Sequence, residues 1–471
     1  MASSHLTRTL DATSGGGYSN KWTWSGWVKR SNLGELGIMG NQRTDNNINS
    51  RFKLYFRSTD RLGWECKDSG GNDDSSFETN MLFKDVNSWY HIVFIYDSDN
   101  STESDRMKCY VNGKDVRTEL GGFSSINEVG SGFGTLWSSS VVNYLGTSGN
   151  NSGNTDLQFD GYMSHCHLTY GHRYEASTFG ESDSNGVWKI KTDPSVTYGS
   201  QGYFLLKNNG SVTDQSGEGN NYTATGTITN DKDNPSDVFC TFNSILPDAT
   251  GDGRLTNGST TISCVDTTWI SRFGTIGFTS GKYYWELKVE ALNASNGYAG
   301  AGIQCLDNAF GSGVGTSGNT NTQFTSNSAS AGFEIDYRGG SNNNNMSGGS
   351  NLGDTGIDYS NGDILGFAVD MDNRALYMHK NGTYITVGGN VGVPTSGASK
   401  TGAIAIPTSV TTCSPAAAIY GANAIFNYNF GNGRFKTTAV SSAGTNASGH
   451  GVFEYDVPTG YTALCTKGLN S

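Results

Sequence analysis

Short apolar runs, broken by Gly, Asn, Ser and Asp, recur along the whole chain. The runs 22–30 (WTWSGWVKR), 52–57 (FKLYFR), 89–96 (WYHIVFIY) and 107–112 (MKCYVN) predict strands. Asn112-Gly113 then predicts a two-residue hairpin turn, because both central positions of that turn need a positive φ. Further strands are predicted at 141–145, 157–163 and 202–206. No segment carries the 3.6-residue periodicity of an amphipathic helix. A meander of short strands joined by polar turns predicts two sheets packed face to face.

In the alternation of a strand, Trp22 and Trp24 share one face and Trp27 takes the other, with Ser25-Gly26 allowing a bulge between them. Exposed indoles could stack on sugars. A buried aromatic, however, removes about 150–250 Å² from water, so the tryptophans are read as core, with Lys29 and Arg30 reaching the rim.

The polar, turn-rich segment 213–237 ends in Asn-Pro and sets a boundary near 235, giving domains 1–235 and 236–471. The second half predicts strands at 260–265, 282–290, 297–304, 331–337, 363–370, 374–380 and 424–430. Its ALYMHKNGTYI repeats the form of CYVNGKDV in the first half, strand, Asn-Gly, strand. Convergence on the best short turn and descent from one jelly roll both fit. Polar loops at 68–76, 148–156, 311–330 and 339–356 are the candidate binding surface. They offer Asn72, Asp73, Asn150, Asn151, Asn319, Asn321, Asn343 and Asn344 for hydrogen bonding.

Composition agrees with an all-β chain. Aromatics make up 11% and charged residues only 16%, the reverse of a disordered chain, and 65 Gly supply turns. Lys and Arg number 31 against 43 Asp and Glu, a net charge of −12. That average field opposes a nucleic-acid partner, and no long Lys/Arg run counters it. The eight cysteines are scattered without a CxxC, which argues against a zinc ribbon and for free, buried thiols in a reducing compartment. The N-terminus lacks the apolar region of a signal peptide, and no apolar run is long enough to span a bilayer.

WTWSGWVKR, WYHIVFIYDS and KCYVNGKDV, in that order, resemble the laminin G-like or concanavalin A-like jelly roll over residues 20–170. GKYYWELKVE, GDILGFAVDMDNRALYMHKNG and FNYNFGNGRF resemble the SPRY (B30.2-type) sandwich over 280–435. The fold class is therefore all-β, two jelly-roll sandwiches in tandem. MASSHLTRTL, YEASTFGESDSNGVWKIK, DNPSDVFCTFN and VPTGYTALC resemble structural proteins of marine tailed bacteriophages. That resemblance implies a non-enzymatic virion protein, made in the host cytoplasm and displayed outside the particle. Its implied partners are capsid or tail proteins and host-surface glycan. A cell-surface lectin and a glycoside hydrolase are the alternatives.

The hydrolase alternative needs two carboxylates facing one bond. Glu334 and Asp336 begin such a strand, but Arg338 and Gly339 follow where the last Glu belongs. Glu286 and Glu290 share a strand face with Lys288 between them. His165 and His167 could place two imidazoles on one face for Zn²⁺, without an evident further ligand. Ca²⁺ is the one cofactor for which the loops offer ligands, at Asp248 with Asp252, at Asn72, Asp73 and Asp74, and at Asp370, Asp372 and Asn373. The set at 370–373 equally makes a good turn.

Overall fold

The computed structural model describes residues 4–10, 18–43, 51–67, 73–137, 141–149, 155–207, 211–245, 253–264, 269–292, 298–305, 330–336, 342–347, 350–354, 359–408, 410–420 and 424–470. These residues form strands, turns and a few short 3₁₀ segments such as Glu103–Asp105 and Pro394–Ser399. No helix among them is long and apolar enough to cross a membrane. The chain divides into two compact units, Met1–Asn230 and Asp231–Ser471.

The first unit is built on β1 (His5–Thr9), β2 (Lys21–Arg30), β3 (Leu36–Arg43), β4 (Arg51–Phe56), β5 (Arg61–Lys67), β6 (Asp73–Leu82), β7 (Tyr90–Asp97), β8 (Met107–Val111), β9 (Lys114–Asp115), β10 (Val141–Leu145) and β11 (Gly161–Tyr170). One sheet runs β6-β5-β4-β3-β10-β1, with Phe123–Asn127 added outside β6 and Thr223–Thr225 outside β1. The other runs β9-β8-β7-β2-β11, with Tyr203–Leu205 outside β11.

The second unit is built on β12 (Trp269–Phe273), β13 (Lys282–Ala291), β14 (Tyr298–Cys305), β15 (Ser330–Asp336), β16 (Asn342–Ser347), β17 (Ser350–Asp354), β18 (Ile364–Asp370), β19 (Ala375–Lys380), β20 (Thr383–Tyr384), β21 (Cys413–Tyr420) and β22 (Ile425–Asn429). Its sheets run β17-β16-β15-β14-β21-β12 and β20-β19-β18-β13-β22, the latter with Thr261–Cys264 and then Gly253–Thr256 added outside β22. Strand for strand, in chain order and in sheet order, these eleven repeat the topology of the first unit. Both units are therefore one jelly-roll design.

The predicted core forms between the sheets. Trp22 and Trp24 are fully buried, and Trp22 stacks on Tyr96 at 5.5 Å and on Phe52 at 5.6 Å. Its indole N–H donates to Thr135 Oγ1 at 2.7 Å, satisfying the one polar atom that burial would strand. In the second unit Trp285 stacks on Phe367 at 5.7 Å. The side chains of Cys66, Cys109, Cys166, Cys240, Cys264, Cys413 and Cys465 are buried thiols.

Several expectations change. The bulge lies on β11, not in the tryptophan strand. Trp27 faces Ser164 while Ser25 faces His167, so β11 holds the extra residue, and His165 there has φ +48°. Lys29 and Arg30 are not at the rim. Both are buried, and the Arg30 guanidinium donates to the carbonyls of Asn32, Gly34 and Phe83 and to Asp60 Oδ1. The strand expected at 157–163 begins only at Gly161 and runs to Tyr170. The loop expected at 339–356 contains β16 and β17, so Asn343 and Asn344 are strand residues. Asp73 likewise opens β6 rather than sitting in a loop.

Candidate binding face

In each unit, chain that follows the jelly roll covers the outer face of one sheet. In the first unit Ala176 and Phe179 pack on Val93 and Ile95 of β7, with Tyr174, Trp188 and Val196 around them. Trp188 Nε1–H donates to His91 Nδ1 at 3.0 Å. With that nitrogen accepting, Nε2–H donates to Ser25 Oγ at 2.9 Å. The His91 ring stacks on Trp27 at 4.8 Å. Burial pushes His91 down to about 3, which keeps it neutral.

In the second unit Phe453, Val457, Tyr461 and Ala463 pack on Tyr284, Ala368 and Tyr377. Glu286 of β13 is the anchor. Its carboxylate accepts from the backbone N–H of Glu454 at 2.9 Å and of Tyr455 at 2.8 Å. It also accepts from Tyr284 Oη at 3.1 Å and Asn429 Nδ2 at 3.2 Å. Gly382 N–H donates to His379 Nδ1, so His379 Nε2–H donates to Tyr284 Oη at 2.7 Å. Burial lifts Glu286 to about 7, against the pull of its four donors.

The candidates for acid–base chemistry sit as follows. Glu286 is enclosed beneath the chain's own covering segment and bonded to it. Glu290 accepts from Asn427 Nδ2 at 2.6 Å and Lys436 Nζ at 3.0 Å. Glu334 and Asp336 lie on β15, paired on both sides by β14 and β16. The bulge separates His165 from His167. His165 Nδ1 bonds Ser164 Oγ at 2.7 Å, while His167 Nδ1 bonds Tyr198 Oη at 3.0 Å and its ring stacks on Phe204 at 3.9 Å. Among the described residues no group of three or more His, Cys, Asp or Glu could hold a metal ion.

Asp370, the last residue of β18, holds the turn that follows. It accepts from Asn373 N at 2.9 Å, Asn373 Nδ2 at 2.8 Å and Lys282 Nζ at 3.0 Å. Burial alone would raise it, but the Asn373 hydrogen bonds and the Lys282 ammonium outweigh burial and hold its carboxyl below the usual range. Asp372 Oδ1 accepts from Gly281 N at 2.9 Å. Asn72, Asn150, Asn151, Asp248, Asp252, Asn319 and Asn321 lie outside the described residues.

The other sheet of the first unit carries a charged outer face. Phe52, Leu54 and Phe56 point into the core, so Arg51, Lys53 and Tyr55 lie on the outer face of β4. Across β5, Lys53 faces Glu65, Tyr55 faces Gly63 and Arg51 faces Lys67. Glu65 Oε1 lies 3.7 Å from Lys53, 3.8 Å from Arg51 and 3.9 Å from Lys67. Glu78 of β6 holds Arg57 at 3.0 Å and Arg61 at 3.5 Å. The Tyr55 ring is the base plate. Lys53 Nζ sits 4.2 Å and the Arg57 guanidinium 5.5 Å from its centroid, and Arg57 Nη1 donates to its hydroxyl at 2.6 Å. Burial lifts that hydroxyl to about 12. Gly63 leaves the room: a Cβ there would stand 3.0 Å from Arg57 Cδ and 3.3 Å from Tyr55 Cε1.

Described residues from two of the proposed binding stretches lie beside this face. Asp73 pairs with Lys67 in the strand register. Ser148–Gly149 pairs antiparallel with Thr155–Asp156, Gly37 N–H donates to Leu157 O, and Gly37 of β3 faces Tyr55 of β4. The cations themselves were not singled out from the sequence. The signal was present in RFKLYFR, where Arg51, Lys53 and Arg57 occur at every second or fourth position between core residues.

Residues 7–171 match the concanavalin A-like lectin/glucanases superfamily. That match covers the first jelly roll from β1 to the end of β11. No curated protein matches the chain. Among solved structures, the chain is similar to the SPRY domain of human HERC1, at 14% identity over 40% of this chain and 96% of that one, with a TM-score of 0.27. It is similar to a heptameric SAP-like pentraxin from Limulus polyphemus, at 17% identity over 36% of this chain and 70% of that one, with a TM-score of 0.26. It is also similar to the CBM40 of a Ruminococcus gnavus IT-sialidase, at 14% identity over 36% and 95%, with a TM-score of 0.25. Likeness at these scores carries no functional argument.

Proposed function

We propose that the chain is a non-enzymatic binding protein, a structural component on the exterior of a tailed-phage particle. It docks on capsid or tail protein and adheres to host-surface glycan, with copy number supplying avidity. No nucleic-acid partner and no membrane insertion belong to this reading. The observation that carries it is how the side chains are used. Of the groups with catalytic chemistry, Glu286 and His91 hydrogen-bond the chain's own covering segments, and the His379 ring packs edge-on against Tyr455 of one of them. The charged face over β4–β6, by contrast, is directed outward. A superfamily named for lectins and glucanases accommodates a binding role. The virion assignment is supported by the resemblance of stretches from both ends of the chain to marine phage structural proteins.

The test is the protein inventory of purified phage particles before and after external protease. The chain is expected in intact particles and is expected to be shaved from them. Its absence from particles, with expression confirmed in infected cells, would remove the virion reading and leave the lectin alternative.

A further inference from the structure

We infer that Cys305 and Cys413 are the site of an oxidative cross-link: a disulfide between them ties β14 to β21 once the chain meets peroxide outside a reducing compartment. This goes beyond the binding role above and does not depend on it.

The sheet brings the two cysteines together across a sequence gap that spans residues 306–412. Cys305 ends β14, Cys413 opens β21, and in the antiparallel register they stand directly opposite each other. Other cysteines with a place in a ladder face something else. Cys66 faces Phe52 and Ser75, Cys109 faces Phe94, Cys166 faces Leu205 and Cys264 faces Gly253.

Main-chain bonding fixes which kind of opposite pair this is. Cys413 N–H donates to Phe278 O at 3.0 Å, and Phe278 N–H donates to Cys413 O at 2.8 Å. In a strand both main-chain groups of one residue point to the same edge, so those of Cys413 are turned towards Phe278 and away from β14. Cys305 and Cys413 are therefore a non-hydrogen-bonded pair. Such a pair sets the Cα atoms about 4.5 Å apart and the Cβ atoms at the short end of about 4.5–5.5 Å. A disulfide asks for Cα atoms about 4.4–6.8 Å apart and Cβ atoms about 3.5–4.5 Å apart. The hydrogen-bonded position one residue along would hold the Cβ atoms too far apart.

The Cys413 side chain is buried, with Sγ 3.6 Å from Met371 Sδ. Burial keeps bulky thiol reagents out and admits a small oxidant during local opening. Peroxide suffices. One thiolate attacks its O–O bond and becomes a sulfenic acid, and the displaced oxygen leaves as water. The second thiol attacks that sulfur, the S–S bond forms, and the sulfenic oxygen leaves as a second water. The two thiols together lose two electrons, and the peroxide takes them. The bond closes residues 306–412, and with them β15 to β20, into a covalent loop. Closing a long loop restricts the unfolded chain more than closing a short one.

The experiment uses the full chain, purified under reductant, freed of it and held in dilute hydrogen peroxide. The chain is then unfolded in the presence of iodoacetamide, digested without reduction and mapped by mass spectrometry. Methionine sulfoxide in the map shows that the peroxide acted. Expected is one peptide pair joining Cys305 to Cys413, about 2 Da lighter than the sum of its parts and lost on reduction. The urea midpoint, read by amide exchange over 413–420, is expected to rise with oxidation and to return with reductant. C305A is expected to abolish the rise. If C305A fails to fold, C413A takes its place, and the map of the native chain needs neither. Recovery of both cysteines as alkylated thiols or as sulfinic acids, with methionine sulfoxide present, would overturn the inference. So would a link from either of them to a different cysteine.

Discussion

Trp188 occupies the space that a side chain at Gly113 would need: a Cβ on that glycine would stand 2.4 Å from Trp188 Cζ3. The second unit repeats the device with Tyr455, which a Cβ on Gly382 would approach to 2.8 Å. The asparagines match too. Asn112 exchanges bonds with the backbone of His91, and Asn381 does the same with Ile364. Both Asn-Gly turns thus close a hairpin and seat an aromatic ring of the covering segment. Gly113→Ala is expected to cost more than the usual penalty of about 1 kcal/mol for Ala at positive φ, because it also expels Trp188. Trp188→Ala, which keeps the turn, is expected to cost about 2–4 kcal/mol, the ring being partly exposed. Urea unfolding and amide exchange over 174–191 measure both. Unchanged exchange there would contradict the seating.

Arg30 is buried with Asp60 at 3.0 Å and with three backbone carbonyls. Arg30→Ala leaves a carboxylate and those carbonyls without their donor. A loss of about 3–5 kcal/mol is expected in the urea midpoint. Arg30→Lys is expected to recover only part of it, since an ammonium cannot span four acceptors spread around a planar fork. Full recovery by lysine would mean the charge alone matters.

Trp24→Ala is expected to cost about 3–5 kcal/mol as a core truncation. The control is ligand binding by any folded fraction. A variant of unchanged melting temperature with lost binding would restore the stacking-platform reading of the tryptophans.

The two units are expected to respond to pH with opposite contributions. Burial holds His91 near 3 and His165 near 4, and pushes His167 well down, against 6.5 when unfolded. The unfolded chain therefore takes up protons that the fold refuses. The first unit keeps full stability above about pH 6.5 and loses it as pH falls towards 4. Glu286 has the other sign. Raised to about 7 from 4.5, it contributes stability that is present below 4.5 and lost as pH rises through 7. His379, near 4, partly offsets it in the same unit. Urea midpoints at pH 5 and pH 7.5, read by amide exchange over 90–97 and 282–291, check this. A first unit no weaker at pH 5 would contradict the burial of its histidines.

The fold was legible where apolar residues are large and the turn chemistry is strict. WTWSGWVKR, WYHIVFIY and the two Asn-Gly hairpins carry strong local signals, and all of them form strands and turns at or within a residue or two of the expected positions. Strands of weak propensity escaped notice. LGIMGNQR is interrupted by glycine, NNNNMS is polar throughout, and CSPAAAIY holds a proline and small residues, so only pairing with stronger neighbours makes them strands. The candidate face escaped for another reason. Its cations lie on β4, β5 and the turn between them, and only the sheet register shows that they share a side with Glu78 of β6. Arg30 was misplaced because its partner Asp60 and its carbonyl acceptors are distant in sequence or hidden in the backbone.

The most direct test of the central claim is immunogold labelling of purified particles with antibody raised against the folded chain. The account predicts gold on the particle exterior. Gold on the capsid would identify a decoration or appendage, and gold on the tail a fibre-type component. No gold, from an antibody shown to bind the folded protein and with the chain detected in the same particles, would contradict exterior display.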